Sequence, residues 1–449
     1  MTDKEIIDVH CHLFNGKYAV MELAAATWNI ICGDYPHEKG KREYLKTKRS
    51  ILALEGIREL ALWTARLIKA VASDCEDNYI YGQKKFHESS FGEEASLIVV
   101  PLMMDIYYAL DDNKGDNKLK SRQQSTLFKP FRIQEKQKNN FYKHLNNIKQ
   151  IVIEEFQKLP KGEPESTDNR TGSLLMIDTV FHDAKNALLN ISSEEFDRYA
   201  LAGIEMSPGY KKHMHDLEEL SRKYPDKVFP FLAVDPRKIG VIKLIEKKIN
   251  RGKGVFKGLK IYPPLGYLPT HPNLIPIFEY CSEHDIPITV HCGFGGFPNL
   301  RKENFVTSWD TEPHIENFKS VDGNKSRYYA NPENWIPVLN RWPDLRINFG
   351  HFGGGDSTWM NTIIKLMKNH PNIYADTSYF TKKGIALEIN DLIERNEILK
   401  KRLMFGTDYI MIMLNMKLGG LEAYFNNYSG LSNELLGENA RGFLKINYL

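Results

Sequence analysis

The sequence has few cysteines and no apolar run of membrane-spanning length. An odd number of cysteines, with no Cys-x-x-Cys spacing, predicts a reduced, cytoplasmic chain without a disulfide framework; they are Cys11, Cys32, Cys75, Cys281 and Cys292. The longest apolar run, Ser96 to Met104, is far shorter than the ~20 residues that cross a bilayer. A basic segment followed by an apolar one is missing at the N-terminus. We therefore expect neither a cleaved signal nor a membrane partner.

A large excess of one charge is also missing. The 449 residues include 60 Lys and Arg against 57 Asp and Glu, which gives a formal charge of +3. Dedicated nucleic-acid binders have a large, clustered basic excess, so we expect no nucleic-acid partner. We also find no glycine-rich phosphate motif followed by Lys and Thr or Ser. The expected partner is a small molecule. Whether the chain also forms a homo-oligomer is left open by the sequence.

Short β-branched runs alternate with helical stretches, the pattern of parallel βαβ units. Eight such strands, most of them followed by a segment of helical period, favour a closed (β/α)8 TIM barrel over an open sheet. The strands are predicted at Ile6–His12, Leu97–Met103, Lys227–Val234, Val255–Tyr262, Ile286–His291, Leu345–Gly350, Asn372–Asp376 and Arg402–Gly406.

The chain is longer than a minimal barrel requires. We predict one domain over residues 1–449, with helical insertions at about 13–95, 111–208 and 293–332. One face of a helix in the second insertion is apolar at helical spacing and is expected to pack on the rest of the protein; it consists of Phe141, Leu145, Ile148, Val152 and Leu159. The third insertion follows the fifth strand, so we expect it at the catalytic end of the barrel.

Histidine and aspartate residues fall at the ends of four predicted strands. His10 and His12 share one face at the end of the first strand, because alternate side chains point the same way. His291, His351 and Asp408 end the fifth, sixth and eighth strands. Barrel enzymes place their catalytic groups at the C-terminal ends of their strands. A single His-x-His pair is weak evidence, but four of only 14 histidines at such ends favour a metal site.

The residue types suggest how such a site would work. His10, His12, His291 and Asp408 offer three imidazoles and one carboxylate, which leaves a position open for water on one divalent cation. The cation lowers the pKa of that water toward ~7 and polarises a substrate carbonyl. Asp408 can take the proton from the water and pass it to a leaving group. His351, which is not needed as a ligand, can donate to the oxyanion or protonate the substrate.

An ordered set of motifs resembles the amidohydrolase superfamily. Within it, the sequence is similar to the amidohydrolase-related (amidohydrolase 2) family, which includes aminocarboxymuconate-semialdehyde decarboxylase. The motifs cover the barrel but skip the insertions between strands one and three. They are Ile-Asp-Val-His-Cys-His-Leu-Phe14, Val-Asp-Pro-Arg237, Gly-Leu-Lys-Ile-Tyr-Pro263, Val-His-Cys-Gly293, Gly-His-Phe-Gly-Gly354, Phe-Gly-Thr-Asp-Tyr409 and Gly-Glu-Asn-Ala-Arg441.

The resemblance implies a barrel of the metallo-dependent hydrolase type with one divalent metal, often zinc, and manganese as the other candidate. It implies that His10, His12, His291 and Asp408 bind this metal and that His351 is the catalytic histidine. In some members of the superfamily a carboxylated lysine on the fourth strand bridges two metals, and Lys260 lies on that strand. We favour Lys260 as a cationic contact for a substrate carboxylate over carboxylation with a second metal. A lysine whose stem only packs in the barrel mouth stays open.

Three further residues are candidates for substrate binding, each with a structural alternative. Arg237 can clamp a carboxylate with two hydrogen bonds or form an ion pair with a nearby acid. Tyr262 lies two residues after Lys260 on the same face of the fourth strand. Tyr379, after the seventh strand, can hydrogen-bond to the substrate or only wall the pocket.

The function we expect is that of a metal-dependent hydrolase acting on a small organic acid, amide or lactone through metal-activated water. A nonoxidative decarboxylase, a lyase, is the alternative on the same scaffold, because both reactions use the same ligands. A phosphodiesterase or nuclease fits the balanced charge less well.

Overall fold

The computed structural model describes residues 5–32, 65, 74–93, 95–109, 135–158, 177–183, 185–186, 206–301, 303–318, 323–380, 385–414 and 421–446. Ten strands lie in this part of the chain. They are β1 (Glu5–Cys11), β2 (Ser96–Pro101), β3 (Phe231–Val234), β4 (Gly258–Ile261), β5 (Ile288–His291), β6 (Glu303–Val306), β7 (His314–Asn317), β8 (Ile347–Gly350), β9 (Ile373–Asp376) and β10 (Leu403–Met404).

Eight of these strands are the predicted ones, and their bounds differ from the prediction by a few residues. The third, fourth and eighth strands are shorter than predicted, because only part of each pairs regularly with a neighbour. The strands β6 and β7 were not predicted. They pair antiparallel as a hairpin within the insertion that follows β5.

The eight predicted strands follow one another around a ring. Six form one parallel sheet in the order β10-β9-β8-β5-β4-β3, and β1 pairs with β2 in a second parallel ladder. Regular pairing stops at two seams, so the ladder is not continuous. At the first seam, isolated bridges join Leu102 to Phe231 and Val99 to Val228. At the second, Val9 N donates to the carbonyl oxygen of Phe405 at 3.0 Å. The fold is the predicted (β/α)8 type with two weakly paired seams.

Helices follow most of the strands, as the alternating pattern predicts. Those between β1 and β3 are Gly16–Cys32, Cys75–Asp77, Lys85–Phe91, Glu135–Lys158 and Pro208–Lys223. Those from β3 to β9 are Val241–Ile249, Ile275–His284, Gly323–Tyr329, Ile336–Arg341 and Ser357–Asn369. The last are Ile385–Arg395, Glu397–Arg402, Leu421–Asn426 and Asn439–Leu444. Among the described residues, no helix combines the length and hydropathy that a membrane crossing needs.

The long helix of the second insertion has the predicted apolar face. Leu145, Ile148 and Val152 are buried along the helix Glu135–Lys158 and join the main hydrophobic core. Leu159 and the side chain of Phe141 lie outside the described residues. Much of the insertions 13–95 and 111–208 also lies outside them, so the predicted division of the chain stays a prediction.

A buried carboxylate reinforces the seam between β1 and the segment after β10. The Oδ2 atom of Asp8 accepts a hydrogen bond from the hydroxyl of Thr407 at 2.6 Å, and its Oδ1 atom accepts one from Thr407 N at 3.1 Å. Both residues are fully buried. Backbone hydrogen bonds from Thr407 N and Asp408 N to the carbonyl oxygen of His10, at 3.2 and 2.7 Å, cross the same seam. Side-chain and backbone contacts together therefore fix the position of Asp408.

We expect Thr407→Val to destabilise the protein by about 1–3 kcal/mol, because the variant leaves one oxygen of a buried carboxylate without its hydroxyl donor while keeping the shape of the side chain. Chemical unfolding followed by circular dichroism measures the change. Thr311→Val, at an exposed position, is the matched control and should shift the free energy of unfolding by less than about 0.5 kcal/mol. Equal stability of the two variants would contradict a role for Asp8 at the seam.

Candidate metal centre

Three of the predicted ligands converge at one rim of the ring. His10 lies in β1, His12 follows it, and Asp408 follows β10. The Oδ1 atom of Asp408 is 3.2 Å from Nε2 of His12 and 3.6 Å from Nε2 of His10. All three side chains are buried, and one ligand atom from each lies within 4.8 Å of the others. This spacing suits a group that shares one cation.

The contact between His12 and Asp408 is stable only if a proton or a cation lies between the two side chains. Nδ1 of His12 is 2.8 Å from the carbonyl oxygen of Leu102, which can only accept a hydrogen bond. That nitrogen therefore carries the proton, and a neutral His12 directs the lone pair of Nε2 at a carboxylate oxygen. Two acceptors at 3.2 Å repel each other unless a proton or a cation lies between them. The donor set therefore fits a divalent cation, with a doubly protonated His12 as the alternative.

A carboxylate that the sequence analysis did not single out orients His10. The Oδ2 atom of Asp376, the last residue of β9, accepts a hydrogen bond from Nδ1 of His10 at 2.9 Å. Its Oδ1 atom accepts bonds from the backbone N of His351 and of Ser378, each at 3.0 Å. With Nδ1 of His10 held in this way, its Nε2 atom faces Asp408. A partner of this kind on the far nitrogen is typical of metal-binding histidines.

Two glycines make room for the imidazole of His10. A Cβ atom on Gly350 would lie 2.7 Å from Cε1 of His10, and one on Gly406 would lie 2.9 Å from its Cβ. Both distances are shorter than van der Waals contact allows. Since these glycines end β8 and follow β10, they let two strands close on the ring of His10.

His291 and His351 form a pair beside this group. Nε2 of His291 donates to the carbonyl oxygen of Gly295 at 3.0 Å, so its Nδ1 atom accepts from Nε2 of His351, also at 3.0 Å. Both nitrogens of His291 are then engaged. Among the described residues, three of the four expected metal ligands, His10, His12 and Asp408, lie together in one group. The fourth, His291, is linked to it through His351, whose ring lies 4.6 Å from that of His10. Its role as a ligand stays a prediction.

Burial keeps these imidazoles neutral, which is the form that binds a metal. It lowers the pKa of His10 to about 3, although the nearby Asp376 opposes the shift. Burial also lowers the pKa of His351, and that of His291 to well below its usual range. For Asp408, burial acts to raise the pKa, but the neighbouring His12, His351 and His10 lower it overall. The centre therefore combines neutral nitrogens with an ionised carboxylate.

Lys260 and Tyr262 lie at the same rim. Nζ of Lys260 is 3.4 Å from Nε2 of His10, and burial lowers the pKa of this lysine to about 8. The ring of Tyr262 is 4.5 Å from that of His291, and its hydroxyl accepts from Phe297 N at 2.8 Å. Both side chains line the same small pocket. The structure thus brings two of the four predicted substrate contacts to one cavity.

The other two predicted contacts have structural partners. Arg237 forms a bidentate ion pair with Asp235, with Nε–Oδ1 at 2.7 Å and Nη2–Oδ2 at 2.5 Å. This ion pair is the structural alternative expected from the sequence. Tyr379 is half-buried, and its ring lies 6.3 Å from that of His351. Neither arrangement tests whether these residues bind a substrate.

A ring of eight parallel strands, with imidazole and carboxylate groups buried at one rim, defines a TIM-barrel enzyme with a candidate metal centre. The sequence profile of the amidohydrolase family matches residues 202–446, which is more than half of the chain. The chain therefore belongs to the amidohydrolase family, whose members are metal-dependent enzymes. No curated protein matches the sequence.

Similar solved structures are distant. An uncharacterised TIM-barrel protein from Bordetella bronchiseptica is 20% identical, over 51% of this chain and 71% of that one, with a TM-score of 0.37. The 5-carboxyvanillate decarboxylase from Sphingomonas paucimobilis is 14% identical, over 61% and 90% of the chains, with a TM-score of 0.36. Amidohydrolase 2 from Bifidobacterium longum subsp. infantis is 12% identical, over 54% and 77%, with a TM-score of 0.33.

We expect protein purified without added cation to contain about one divalent ion per chain. The double variant His10→Ala/His12→Ala should lose this ion, because two of the three converging ligand atoms are removed. Plasma mass spectrometry measures the metal content, and circular dichroism checks the fold. The control is His144→Ala/His314→Ala, which changes two exposed histidines. Full metal content in the first variant would show that the ligand assignment is wrong.

Asp376→Asn should weaken metal binding about 10- to 100-fold, because it removes the charge that orients His10. Competition with a fluorescent chelator measures the affinity. Asp344→Asn, which changes an exposed carboxylate that precedes β8 at the opposite end of the strand, is the control and should leave the affinity unchanged. Equal affinities for the two variants would show that Asp376 does not position the ligand.

Proposed function

We propose that the protein is a metal-dependent hydrolase that acts on a small organic acid, amide or lactone. The observation that carries this proposal is the contact between His12 and Asp408, where two acceptors meet in a buried site beside His10. We assign the cation to His10, His12 and Asp408. His291 would be the fourth ligand after it gives up its hydrogen bond to Gly295 or to His351. Zinc suits this mixture of nitrogen and oxygen donors, and manganese is the alternative.

When bound, the cation lowers the pKa of a coordinated water toward about 7 and polarises a carbonyl group. Asp408 accepts a proton from the attacking water and later delivers it to the leaving group, so protons balance over the cycle. His351 donates a hydrogen bond to the oxygen on which negative charge develops. Its place beside His10 and His291 supports this role, because it faces the same rim without being one of the converging ligands.

Lys260 binds a carboxylate group of the substrate in this proposal. Its ammonium group is buried at the centre beside Nε2 of His10, and a substrate carboxylate there would offset the cost of burying the charge. Tyr262 walls the same cavity. Tyr379 and Arg237 are further substrate contacts. Arg237 would bind the substrate while it remains paired with Asp235. Carboxylation of Lys260 with a second metal is the less favoured role of this residue.

One observation favours the second candidate, a nonoxidative decarboxylase. Because Nζ of Lys260 lies only 3.4 Å from Nε2 of His10, a carboxylate held by this lysine would lie at the metal centre itself. It would then be the reacting group, and His351 would protonate the carbon that loses carbon dioxide. The same residues serve both reactions, so product analysis must separate them.

The test uses a panel of lactones, amides and carboxylic acids, incubated with zinc- or manganese-loaded protein in ¹⁸O-labelled water. We expect one labelled oxygen in the carboxyl group formed by hydrolysis, because water attacks the carbonyl carbon. Release of carbon dioxide without label in the product would establish the decarboxylase instead. The control is His10→Ala/His12→Ala, in which turnover should fall to background. Turnover that survives in this variant would contradict both candidates.

A further inference from the structure

A short segment of the loop after β5, residues 295–297, lies between two anchors. Before it, the ring of Phe294 packs on that of Trp359, with 4.4 Å between the centroids. After it, the backbone N of Asn299 donates to the carbonyl oxygen of Pro264 at 2.8 Å. The first two residues of the segment are exposed glycines, which adopt a wider range of backbone conformations than other residues. This rim segment can therefore move while its two ends stay in place.

Two hydrogen bonds join the rim segment to residues of the centre. The carbonyl oxygen of Gly295 accepts from Nε2 of His291 at 3.0 Å. Phe297 N donates to the hydroxyl of Tyr262 at 2.8 Å, and Phe297 also lines the small pocket at this rim. A Cβ atom on Gly296 would lie only 3.1 Å from Nε2 of His291. The rim segment thus covers this nitrogen and forms one wall of the pocket.

The protons at this rim do not satisfy all of its contacts. A chain of four contacts runs from Asp376 through Ser378, His351 and His291 to the carbonyl oxygen of Gly295. The two ends only accept hydrogen bonds, and the three groups between them carry one proton each when both imidazoles are neutral. Three protons cannot fill four hydrogen bonds. With Nε2 of His291 protonated, the conflict lies at Ser378, whose single hydroxyl proton is shared between Nδ1 of His351, at 2.9 Å, and the carboxylate of Asp376.

The conflict disappears if His291 binds a cation through Nε2. Each imidazole then keeps its one proton but carries it on Nδ1. His291 donates to Nε2 of His351, His351 donates to Oγ of Ser378, and Ser378 donates to Asp376. Three protons then serve three contacts, and only the Gly295 carbonyl, at the exposed end, loses its donor. Binding through Nδ1 of His291 would instead leave the buried Nε2–H of His351 without its acceptor, which is costly.

We propose that the rim segment is a metal-responsive lid. His291 exchanges the Gly295 carbonyl for the cation, and the freed segment moves away from the pocket. This inference rests on the proposed role of His291 as the fourth ligand. Because Phe297 forms part of the wall, its movement widens the pocket, and a substrate enters after the cation is bound rather than before.

Hydrogen–deuterium exchange followed by mass spectrometry tests the proposal on the full chain, first stripped of metal by a chelator and then saturated with zinc. The amides of residues 295–297 should exchange about two- to tenfold faster in the zinc-loaded protein, because the segment loses a hydrogen bond that holds it at the rim. The amides of β1, which carries His10, should exchange more slowly, because a bound ligand stabilises its own site. Slower or unchanged exchange of the rim segment at full zinc occupancy would overturn the proposal.

Two tyrosine variants provide a second measurement. Tyr262→Phe removes the acceptor of Phe297 N, so the rim segment is easier to displace. This variant should bind zinc about two- to tenfold more tightly in competition with a fluorescent chelator. Tyr280→Phe is the matched control and should leave the affinity unchanged, because the hydroxyl of Tyr280 accepts from another backbone N, that of Arg251, at an exposed contact of 2.7 Å. Equal affinities for the two variants would contradict the lid. If Tyr262→Phe does not fold, exchange in the unmodified protein still decides.

The outcomes separate this proposal from the proposed function. If the rim segment exchanges faster with zinc but no compound of the substrate panel is turned over, the lid stands and the hydrolase assignment fails. If zinc binds and the segment does not respond, the lid fails while the catalytic assignment is unaffected. If zinc does not bind, the lid is overturned together with the metal centre.

Discussion

The carboxylate of Asp376 is the group on which the geometry of the centre depends. It is fully buried at the end of β9 and accepts hydrogen bonds from His10, from the amide of Asn348 at 2.7 Å and from two backbone N–H groups. Burial acts to raise its pKa, but the contact with His10 and the other donors hold it well below the usual range. One ionised group therefore ties β1, β8 and β9 together where their ends meet, and a fixed imidazole of His10 is the result.

The sequence allows much of this centre to be predicted, because the C-terminal ends of parallel strands in a barrel share one rim. Position at a strand end was enough to place His10, His12 and Asp408 near one another, although 398 residues separate His10 from Asp408 in the chain. Asp376 ends a predicted strand too, and the same rule could have found it. A carboxylate in that position does not reveal whether it binds a metal or orients a ligand, since that depends on which atom it faces.

Other features depend on atomic detail that residue spacing does not contain. Both nitrogens of His291 form hydrogen bonds only because of where the Gly295 carbonyl lies and which way the His351 ring points. The ion pair of Arg237 with Asp235, two residues earlier, was a stated alternative, but only the side-chain conformation decides it. The hairpin of β6 and β7 was missed because its short, mostly polar strands lack a period-two apolar pattern.

Glycine positions connect the fold to the chemistry of the rim. Gly350 leaves the space that the ring of His10 occupies, and Gly406 leaves the space of its Cβ atom, so a larger residue at either position would displace the ligand or separate the strands. Dense packing of this kind excludes water from the imidazoles and holds them neutral. Even the pocket beside Lys260 is small and bounded mostly by apolar side chains. Close packing therefore holds the reactive groups of the rim in fixed positions.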